Sequence, residues 1–257
     1  MEPIYTPENT VAAYQLDWTI SVFWRATPPD DSGWLDALRA ATEPDGIRIL
    51  KHQLKNETTS QFLISTKPPV SPRQFLRSVK GRLQHLLREK MPSAFQRNYS
   101  FRSVGSANRQ VVEAYIAGQL GHHVMADDRV QSRLHRYQRE YPEVDLSQPR
   151  CSAHGLYWYS LHLVLVNDGR WMEIRDEVLD ELVRIVERAA AKRGHALSRL
   201  GVLPDHLHLA MGCPGEAAPQ DVALGYMNNC AYVCGMKPVL RFSYYVGAFG
   251  EYDLGAV

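Results

Sequence analysis

The sequence predicts an α+β fold built from two domains in tandem, each with the element order β-α-β-β-α-β. Stretches of alternating apolar residues, which are typical of strands, are interleaved with amphipathic stretches that are typical of helices. The order of these elements repeats after about 145 residues. With 257 residues, the chain is long enough for two domains that each bury a core.

The first repeat, residues 1–122, contains four predicted strands and three predicted helices. In order, these are a strand at 18–27, a helix at 33–41, strands at 46–54 and 58–66, a helix at about 72–89, a strand at 99–104 and a helix at about 108–120. Ser32 is a residue type that favours the start of the first helix.

The second repeat, residues 155–257, has the same element order but lacks a counterpart of the helix at 108–120. Its predicted elements are a strand at 157–166, a helix at 175–194, strands at 195–203 and 205–212, a helix at about 219–234 and a strand within 241–250. Gly194 stands where the first of these helices should end.

Residues 123–154 are predicted to be a linker with a short charged helix and a Pro-containing extended stretch. This length allows the repeats to pack side by side. His122, His123 and His154 are interpreted as surface or packing histidines.

The composition is that of an ordinary globular protein, with 45% hydrophobic and 22% charged residues. No apolar run approaches the ~20 residues of a membrane span, and the first residues do not resemble a signal peptide. We therefore expect a cytoplasmic protein without a membrane partner. The cysteines form no CxxC pair, which argues against a zinc cluster or a disulfide framework and favours free thiols (Cys151, Cys213, Cys230, Cys234).

Positive charge is concentrated in the first repeat. Between Lys67 and Arg109 there are ten basic residues and one acidic residue, Glu89. Such a density attracts nucleic-acid backbones, although a solvated helix face is the alternative.

The stretch PDHLHLAMG, residues 204–212, contains a histidine pair. If it is a strand, His206 and His208 lie on one face and can hold a metal ion together. In the register of the repeat they correspond to Thr59 and Gln61, so only the second repeat has the pair.

The motifs VLPDHLHLAMGCPGEAAPQDV, SYYVGAFG and NYSFRSVGSANRQVVEAYIAGQ resemble those of the HUH-type tyrosine transposases of the 200/605 group of insertion sequences and of their REP-associated relatives. The similarity covers nearly the whole chain except the linker. The family implies ferredoxin-like or RRM-like domains with antiparallel sheets that act as dimers on single-stranded DNA with hairpin-containing ends.

The resemblance also implies roles for individual residues. His206, His208 and Gln119 correspond to the metal ligands, with Mg²⁺ or Mn²⁺ as the cofactor, and Tyr115 to the nucleophile that forms a 5′-phosphotyrosine intermediate. Asp205 would orient an imidazole by contacting the ring without binding the metal itself. Because each repeat has what the other lacks, the chain is interpreted as a fused pseudodimer, sufficient as a single chain, with one composite active site.

The residues themselves agree with this assignment. Tyr115 and Gln119 are four positions apart and share one helix face. In isolation, however, Tyr115 is typical of a packing tyrosine, Gln119 of a surface residue and Asp205 of a turn cap. His162 is interpreted as a core histidine rather than a ligand.

DNA contacts are predicted for seven basic residues: Arg73, Arg77, Lys80, Arg82, Arg97, Arg102 and Arg109. Tyr99, Phe101, Tyr244 and Tyr245 could stack on unpaired bases if exposed, but aromatic residues in strands are more often core. The main prediction is a single-strand DNA endonuclease and strand transferase. The alternatives are a domesticated hairpin-binding protein, or a metal-dependent hydrolase that does not use Tyr115.

Overall fold

A computed structural model describes residues 2–123 and 125–256, and these residues form twelve strands and six α-helices. The strands are β1 (Val11–Gln15), β2 (Asp17–Trp24), β3 (Ile47–Asn56), β4 (Thr59–Thr66), β5 (Phe95–Val104), β6 (Gln138–Glu140), β7 (Arg150–Ser152), β8 (Gly155–Trp158), β9 (Ser160–Asn167), β10 (Ala196–Val202), β11 (His206–Gly212) and β12 (Leu240–Phe249). The helices are α1 (Leu35–Thr42), α2 (Pro72–Leu87), α3 (Arg109–His122), α4 (Asp128–Leu134), α5 (Asp176–Arg193) and α6 (Pro219–Val233).

The strands form two six-stranded sheets. Sheet 1 has the order β3-β4-β2-β5-β8-β7, and sheet 2 has the order β1-β12-β9-β11-β10-β6. The four strands of each repeat are antiparallel neighbours, and they have the same order in both sheets when counted within the repeat. This order, with the first strand between the fourth and the third, is that of a ferredoxin-like domain. The predicted α+β fold of two tandem β-α-β-β-α-β units is therefore confirmed.

The two sheets also share their register. His208 on β11 lies opposite Val164, the fifth residue of β9. Gln61 on β4 lies opposite Ser21, the fifth residue of β2. The correspondence between His208 and Gln61 inferred from the sequence is thus a correspondence of position in the two sheets.

Each repeat gives one short strand to the sheet of the other repeat. β1 ends one residue before β2, yet it pairs in parallel with β12 of the second repeat. In the same way, β8 ends one residue before β9 and pairs in parallel with β5 of the first repeat. The two repeats are therefore interlocked by a reciprocal exchange of strands, which the sequence did not predict.

The segment 123–154 also takes part in both sheets. It contains the expected short charged helix, α4, but β6 pairs with β10 in sheet 2 and β7 pairs with β8 in sheet 1. The division of the chain between the two sheets consequently does not coincide with the repeat boundaries, at residues 122 and 155, that the sequence predicts.

The two sheets meet where β5 and β12 end. Gly105 forms an isolated bridge with Asp253, and Asn108 forms one with Gly250. A Cβ atom at Gly105 would overlap the carbonyl oxygen of Ala248, while a Cβ atom at Gly250 would overlap that of Ser103. Glycine is required at both positions because the two backbones approach too closely for any side chain.

A second reciprocal contact joins the starts of α2 and α6. The second residue of α2, Arg73, donates its backbone N–H to Gly215 O (2.9 Å), and the second residue of α6, Gln220, donates its backbone N–H to Pro68 O (2.9 Å). Ser71 and Gln74 form a capping box at the start of α2, which fixes the first turn of that helix.

One hydrophobic core extends through both repeats. Helices α1 and α2 pack on one face of sheet 1, and α5 and α6 pack on the corresponding face of sheet 2. Trp18 on β2 contacts Tyr159, between β8 and β9, with ring centroids 5.1 Å apart. Over the described ranges, no helix is both long and apolar enough to cross a membrane.

Candidate active site

Helix α3 belongs to the first repeat but packs on the sheet of the second. The helix begins after Asn108, whose side chain accepts a hydrogen bond from Val111 N (3.1 Å). From there it contacts β10 and β11. Its buried residues Val112 and Ile116 form a small apolar cluster with residues of sheet 2, including Ala210. Burial of this face holds α3 against the histidine strand of the same chain.

The face of sheet 2 beneath α3 carries the predicted histidines. Tyr245, Val164, His208 and Gly201 lie side by side on β12, β9, β11 and β10. Because directly paired residues in a sheet point to the same face, these four residues form one row. The absence of a side chain at Gly201 allows Ile116 of α3 to approach β10 closely.

The structure brings Tyr115 next to His208. The Tyr115 ring centroid lies 5.6 Å from that of His208 and 6.1 Å from that of His162, both in edge-to-face orientation. Tyr115 is 49% exposed, although it stands above buried imidazoles. Its hydroxyl can therefore meet a substrate that arrives from solvent.

His206 and His208 lie together, with ring centroids 4.9 Å apart. The Nδ1 atom of His206 is 2.6 Å from Asp205 Oδ1, and the Nδ1 atom of His208 is 3.0 Å from His162 Nε2. These contacts use the Nδ1 atom of each ring and so orient its Nε2 edge. Asp205 occupies the position predicted for it behind His206, while His162 contacts the pair itself.

Burial determines the protonation state of this cluster. It lowers the pKa of His162 to about 4. The pKa of His208 is lowered to about 2, first by burial and then by the nearby His162, His206 and His123. Both rings are therefore neutral near pH 7, which is the state that binds a metal ion.

Gln119 lies between these contacts on α3. Tyr115 faces His208, and His123, just after the helix, packs against His206 with ring centroids 4.8 Å apart. Gln119 is one helical turn from Tyr115 and is buried, and it lies on the same face of α3 as Tyr115. Its Nε2 atom donates to Tyr115 O (3.2 Å), which leaves the amide oxygen as its possible metal ligand.

His123 and His162 are the site residues whose position the sequence analysis missed. His123 was interpreted as a surface or packing residue, and it packs against His206. One signal could have identified it: it follows Gln119 by the same four positions by which Gln119 follows Tyr115. For His162, on β9, no comparable signal exists because it depends on strand pairing.

His206, His208 and Gln119 offer nitrogen and oxygen ligands that fit a divalent metal ion. Two imidazole nitrogens and one amide oxygen suit Mn²⁺ or Mg²⁺ when phosphate or water oxygens complete the coordination. Within residues 2–123 and 125–256, no group of three or more His, Cys, Asp and Glu side chains is arranged to hold a metal. A metal here would therefore depend on the Gln119 amide as its third protein ligand.

A cavity of about 500 Å³ adjoins the histidines. Helix α3 contributes Val111 and Tyr115 to its lining, and sheet 2 contributes Val164, His208 and Tyr245. Tyr115, the candidate nucleophile, thus forms part of the cavity wall.

Several basic residues predicted to contact DNA are engaged within the protein. Arg82 forms two hydrogen bonds with the Asp45 carboxylate, and Arg109 binds Glu113 and Glu251. Lys80, on α2, donates to the backbone carbonyls of Gln96 and Asn98 in β5, and burial lowers its pKa. These three cations hold elements of the fold together.

The other predicted cations are more accessible. Arg73 pairs with Glu216 at the surface (3.0 Å), and Arg102 lies over the Trp158 ring (4.2 Å). Arg77 and Arg97 form no ion pair within the described parts of the chain. Arg73, Arg77 and Lys80 line one groove together with Tyr99 and His154. Of the predicted stacking residues, Phe101 and Tyr244 are buried in the core, whereas Tyr99 and Tyr245 are half-buried.

Comparison with known proteins shows that part of the chain is similar to one family. Residues 34–119 match the family described as "Transposase IS200 like". The matched range includes Tyr115 and ends at Gln119, whereas His206 and His208 lie outside it. No curated protein matches the chain in sequence.

Solved structures with similarity to the chain include two transposases by description. A candidate transposase from Deinococcus radiodurans R1 is 24% identical, with 38% of this chain and 84% of that chain covered and a TM-score of 0.35. A REP-associated tyrosine transposase bound to a REP hairpin is 14% identical, with 37% of this chain and 58% of that chain covered and a TM-score of 0.32.

The family resemblance recognised in the sequence motifs is therefore confirmed over residues 34–119, which are similar to the family of IS200-like transposases.

Proposed function

We propose that the protein is a single-strand DNA endonuclease and strand transferase with one composite active site, formed by the two repeats of a fused pseudodimer. One observation supports this most directly: Tyr115 from the first repeat lies 5.6 Å, ring to ring, from His208 of the second. The other elements that the reaction needs surround this contact.

In the proposed reaction, the Tyr115 hydroxyl oxygen attacks the phosphorus of a DNA phosphodiester. The new bond joins the tyrosine to the 5′ side of the break, and the bond to the 3′ oxygen breaks. The phenol proton is lost, and the departing 3′ oxygen gains a proton and becomes a free hydroxyl. Attack of a 3′-hydroxyl on the phosphotyrosine reverses these steps and joins strands without an energy source.

A phenol is a weak nucleophile near pH 7, so the attack needs electrostatic help. A divalent metal held by His206, His208 and Gln119 would supply it by polarising the phosphate. Asp205 and His162 hold the two imidazoles in position through their Nδ1 atoms. Burial lowers the pKa of His208 and keeps that imidazole neutral.

The proposed substrate is single-stranded DNA that carries a hairpin. The groove lined by Arg73 and Arg77 is a surface for the backbone phosphates of such a strand. The REP-associated transposase, which was solved with a REP hairpin, is a precedent for this substrate class.

A covalent-adduct assay tests the proposal. The full chain is incubated with Mn²⁺ and hairpin-containing single strands, and denaturing electrophoresis detects DNA that remains attached to protein. We expect an adduct with the wild-type chain, and none with Tyr115→Phe or His206→Ala. Tyr232→Phe, which changes an exposed tyrosine of α6, is the matched control and should react normally.

The same assay separates the alternatives. Cleavage without an adduct, unaffected by Tyr115→Phe, would indicate a hydrolase that does not use the tyrosine. Binding without cleavage at any metal concentration would indicate a DNA-binding protein that has lost the chemistry. An adduct that survives Tyr115→Phe would disprove the assignment of the nucleophile.

A further inference from the structure

The chemistry proposed above does not account for the cavity beside Tyr115. Cleavage of a phosphodiester requires the hydroxyl, the metal ligands and access for a phosphate. The cavity extends from Tyr115 and His208 to Tyr245, and its lining is mainly apolar and aromatic. A phosphate would lose its hydration there without gaining charged partners.

Two aromatic rings delimit this cavity. Tyr115 and Tyr245 both contact His162, with ring centroids 6.1 Å and 5.7 Å away, and both meet it at steep angles. His162 therefore lies between the two tyrosines. Val164 and Val111 contribute apolar surface from β9 and α3.

The position of Tyr245 depends on a glycine. The Tyr245 side chain lies along β12 over Gly247, where a Cβ atom would overlap its hydroxyl. Gly247 lies opposite His162 in the sheet. Any side chain at Gly247 would displace the Tyr245 ring and occupy part of the cavity.

The volume, lining and location of the cavity together indicate which part of a DNA strand it can bind. Its volume of about 500 Å³ falls within the range of small-molecule sites. An unpaired base has two flat apolar faces, and stacking on aromatic side chains is the usual way in which proteins hold one. Tyr115 contributes to the cavity wall, so a base in it must belong to a nucleotide next to the phosphate under attack.

Building on the proposed function, we infer that the cavity between Tyr115 and Tyr245 binds the unpaired base of a nucleotide that flanks the scissile phosphate. Tyr245 acts as a positioning residue in this arrangement. By holding the base, it places the neighbouring phosphorus in line with the Tyr115 hydroxyl, as required for attack.

A scan with abasic residues tests the inference. The phosphate cleaved by the wild-type chain is first mapped on a hairpin-containing strand. Binding of that strand to the Tyr115→Phe chain is then measured by fluorescence anisotropy, with a single abasic residue at successive positions. We expect about a tenfold loss of affinity, as for one lost base-stacking contact, at one position flanking the mapped phosphate and little loss at more distant unpaired positions.

Variants of the cavity link this position to Tyr245. In the Tyr115→Phe background, Tyr245→Ala should weaken binding of the intact strand by about the same factor, and the abasic residue should then cause no additional loss. Tyr245→Phe, which keeps the ring, should bind normally. Val111→Trp, at a 55% exposed position, should obstruct the cavity and weaken binding, while Tyr232→Ala is the control for loss of a surface aromatic ring.

The outcomes distinguish this inference from the proposed function. Cleavage together with an abasic scan that shows no sensitive flanking position would overturn the base-binding cavity alone. A sensitive position that persists unchanged in Tyr245→Ala would also overturn it. Absence of both cleavage and binding would overturn the proposed function and the cavity with it.

Discussion

His162 can influence the candidate site through its contact with His208. Its Nε2 atom lies 3.0 Å from the Nδ1 atom of His208, and its ring lies between those of Tyr115 and Tyr245. A partner at Nδ1 fixes the orientation of a metal-binding imidazole and the nitrogen that carries its proton. His162 thus has a role beyond that of the core histidine expected from its strand.

Replacement of His162 by phenylalanine should weaken metal binding. Phenylalanine keeps much of the ring volume but removes the hydrogen bond to His208. We expect about a tenfold loss of Mn²⁺ affinity, measured by calorimetric titration of the protein without DNA. His154→Phe, a change at an exposed histidine, should leave the affinity unchanged; an unaltered affinity in His162→Phe would contradict the positioning role.

Acid should destabilise the fold through His195, which is remote from the metal ligands. Burial, followed by the charges of Arg193 and Arg150, lowers its pKa from 6.5 to about 4, and its Nδ1 lies 2.9 Å from the Tyr226 hydroxyl. Between these values the unfolded chain binds a proton that the folded chain does not, so stability is complete above pH 6.5 and falls as pH decreases.

The magnitude can be measured with a substitution. From pH 7 to pH 5, His195 should account for a loss of about 2 kcal/mol in the free energy of unfolding. In urea titrations, His195→Gln should lose that much less than the wild type over the same range. Identical pH dependence of the two proteins would show that His195 titrates normally in the fold.

The family resemblance predicted Tyr115, Gln119 and the histidine pair as one group with Asp205 beside it, and the structure places Tyr115 next to His208 and Asp205 next to His206. His123 and His162 were not assigned to the site because their roles depend on contacts across elements. The basic residues likewise differ in contacts that depend on the fold. Sequence density alone cannot separate a cation such as Arg82, which binds Asp45, from an accessible one.

The crossing of β5 and β12 brings the backbones of the two sheets into direct contact. Gly105 faces the carbonyl of Ala248, and Gly250 faces that of Ser103. The Ser103 hydroxyl donates to Phe249 O and accepts from Ser160 N. These contacts connect the strand that precedes α3 to the strand that carries Tyr245, so they also determine the spacing between the two halves of the site.

An alanine at this crossing should therefore be poorly tolerated. Gly105→Ala should lower the free energy of unfolding by about 1–3 kcal/mol, as expected for an overpacked position, measured by chemical denaturation. Gly81→Ala is the matched control, because a Cβ atom there has nothing within 4 Å and alanine is favourable inside α2, stabilising it by about 0.5–1 kcal/mol. Equal stability of the two variants would contradict the close backbone contact at Gly105.

The main helices and strands were predictable because each has a strong local pattern. The strands β1, β6 and β7 were not predicted, and β8 was merged with β9. Three to five residues carry too short a pattern to recognise, and the partners of β1 and β8 lie in the other repeat. Their pairing is determined by tertiary structure, which overrides local propensity.

The interlocked repeats give a single chain all the residues of the proposed site. Helix α3 packs on β10 and β11 of its own chain, so Tyr115 reaches the histidines without a second copy. The equivalent face of sheet 1 has Gln61 in place of His208, and the described residues place no second tyrosine helix over it. The proposed function therefore predicts one reactive centre per chain.

A mixing experiment tests this arrangement. His206→Ala and Tyr115→Phe chains are each expected to be inactive in the adduct assay, and an equimolar mixture should remain inactive because each chain has one defective half. Full-length wild-type protein diluted with either variant should keep its activity per wild-type chain. Efficient rescue in the mixture would show that two chains exchange α3.

The exchange of β1 also constrains the order in which the protein can fold during synthesis. Val11–Gln15 is synthesised before the other described strands, whereas its partner strand, β12, is synthesised after all of them. β1 must therefore remain unpaired until β12 has been made, since a strand cannot be protected before its neighbour exists. In pulsed hydrogen exchange during synthesis, the amides of β1 should be the last strand amides of the first repeat to become protected.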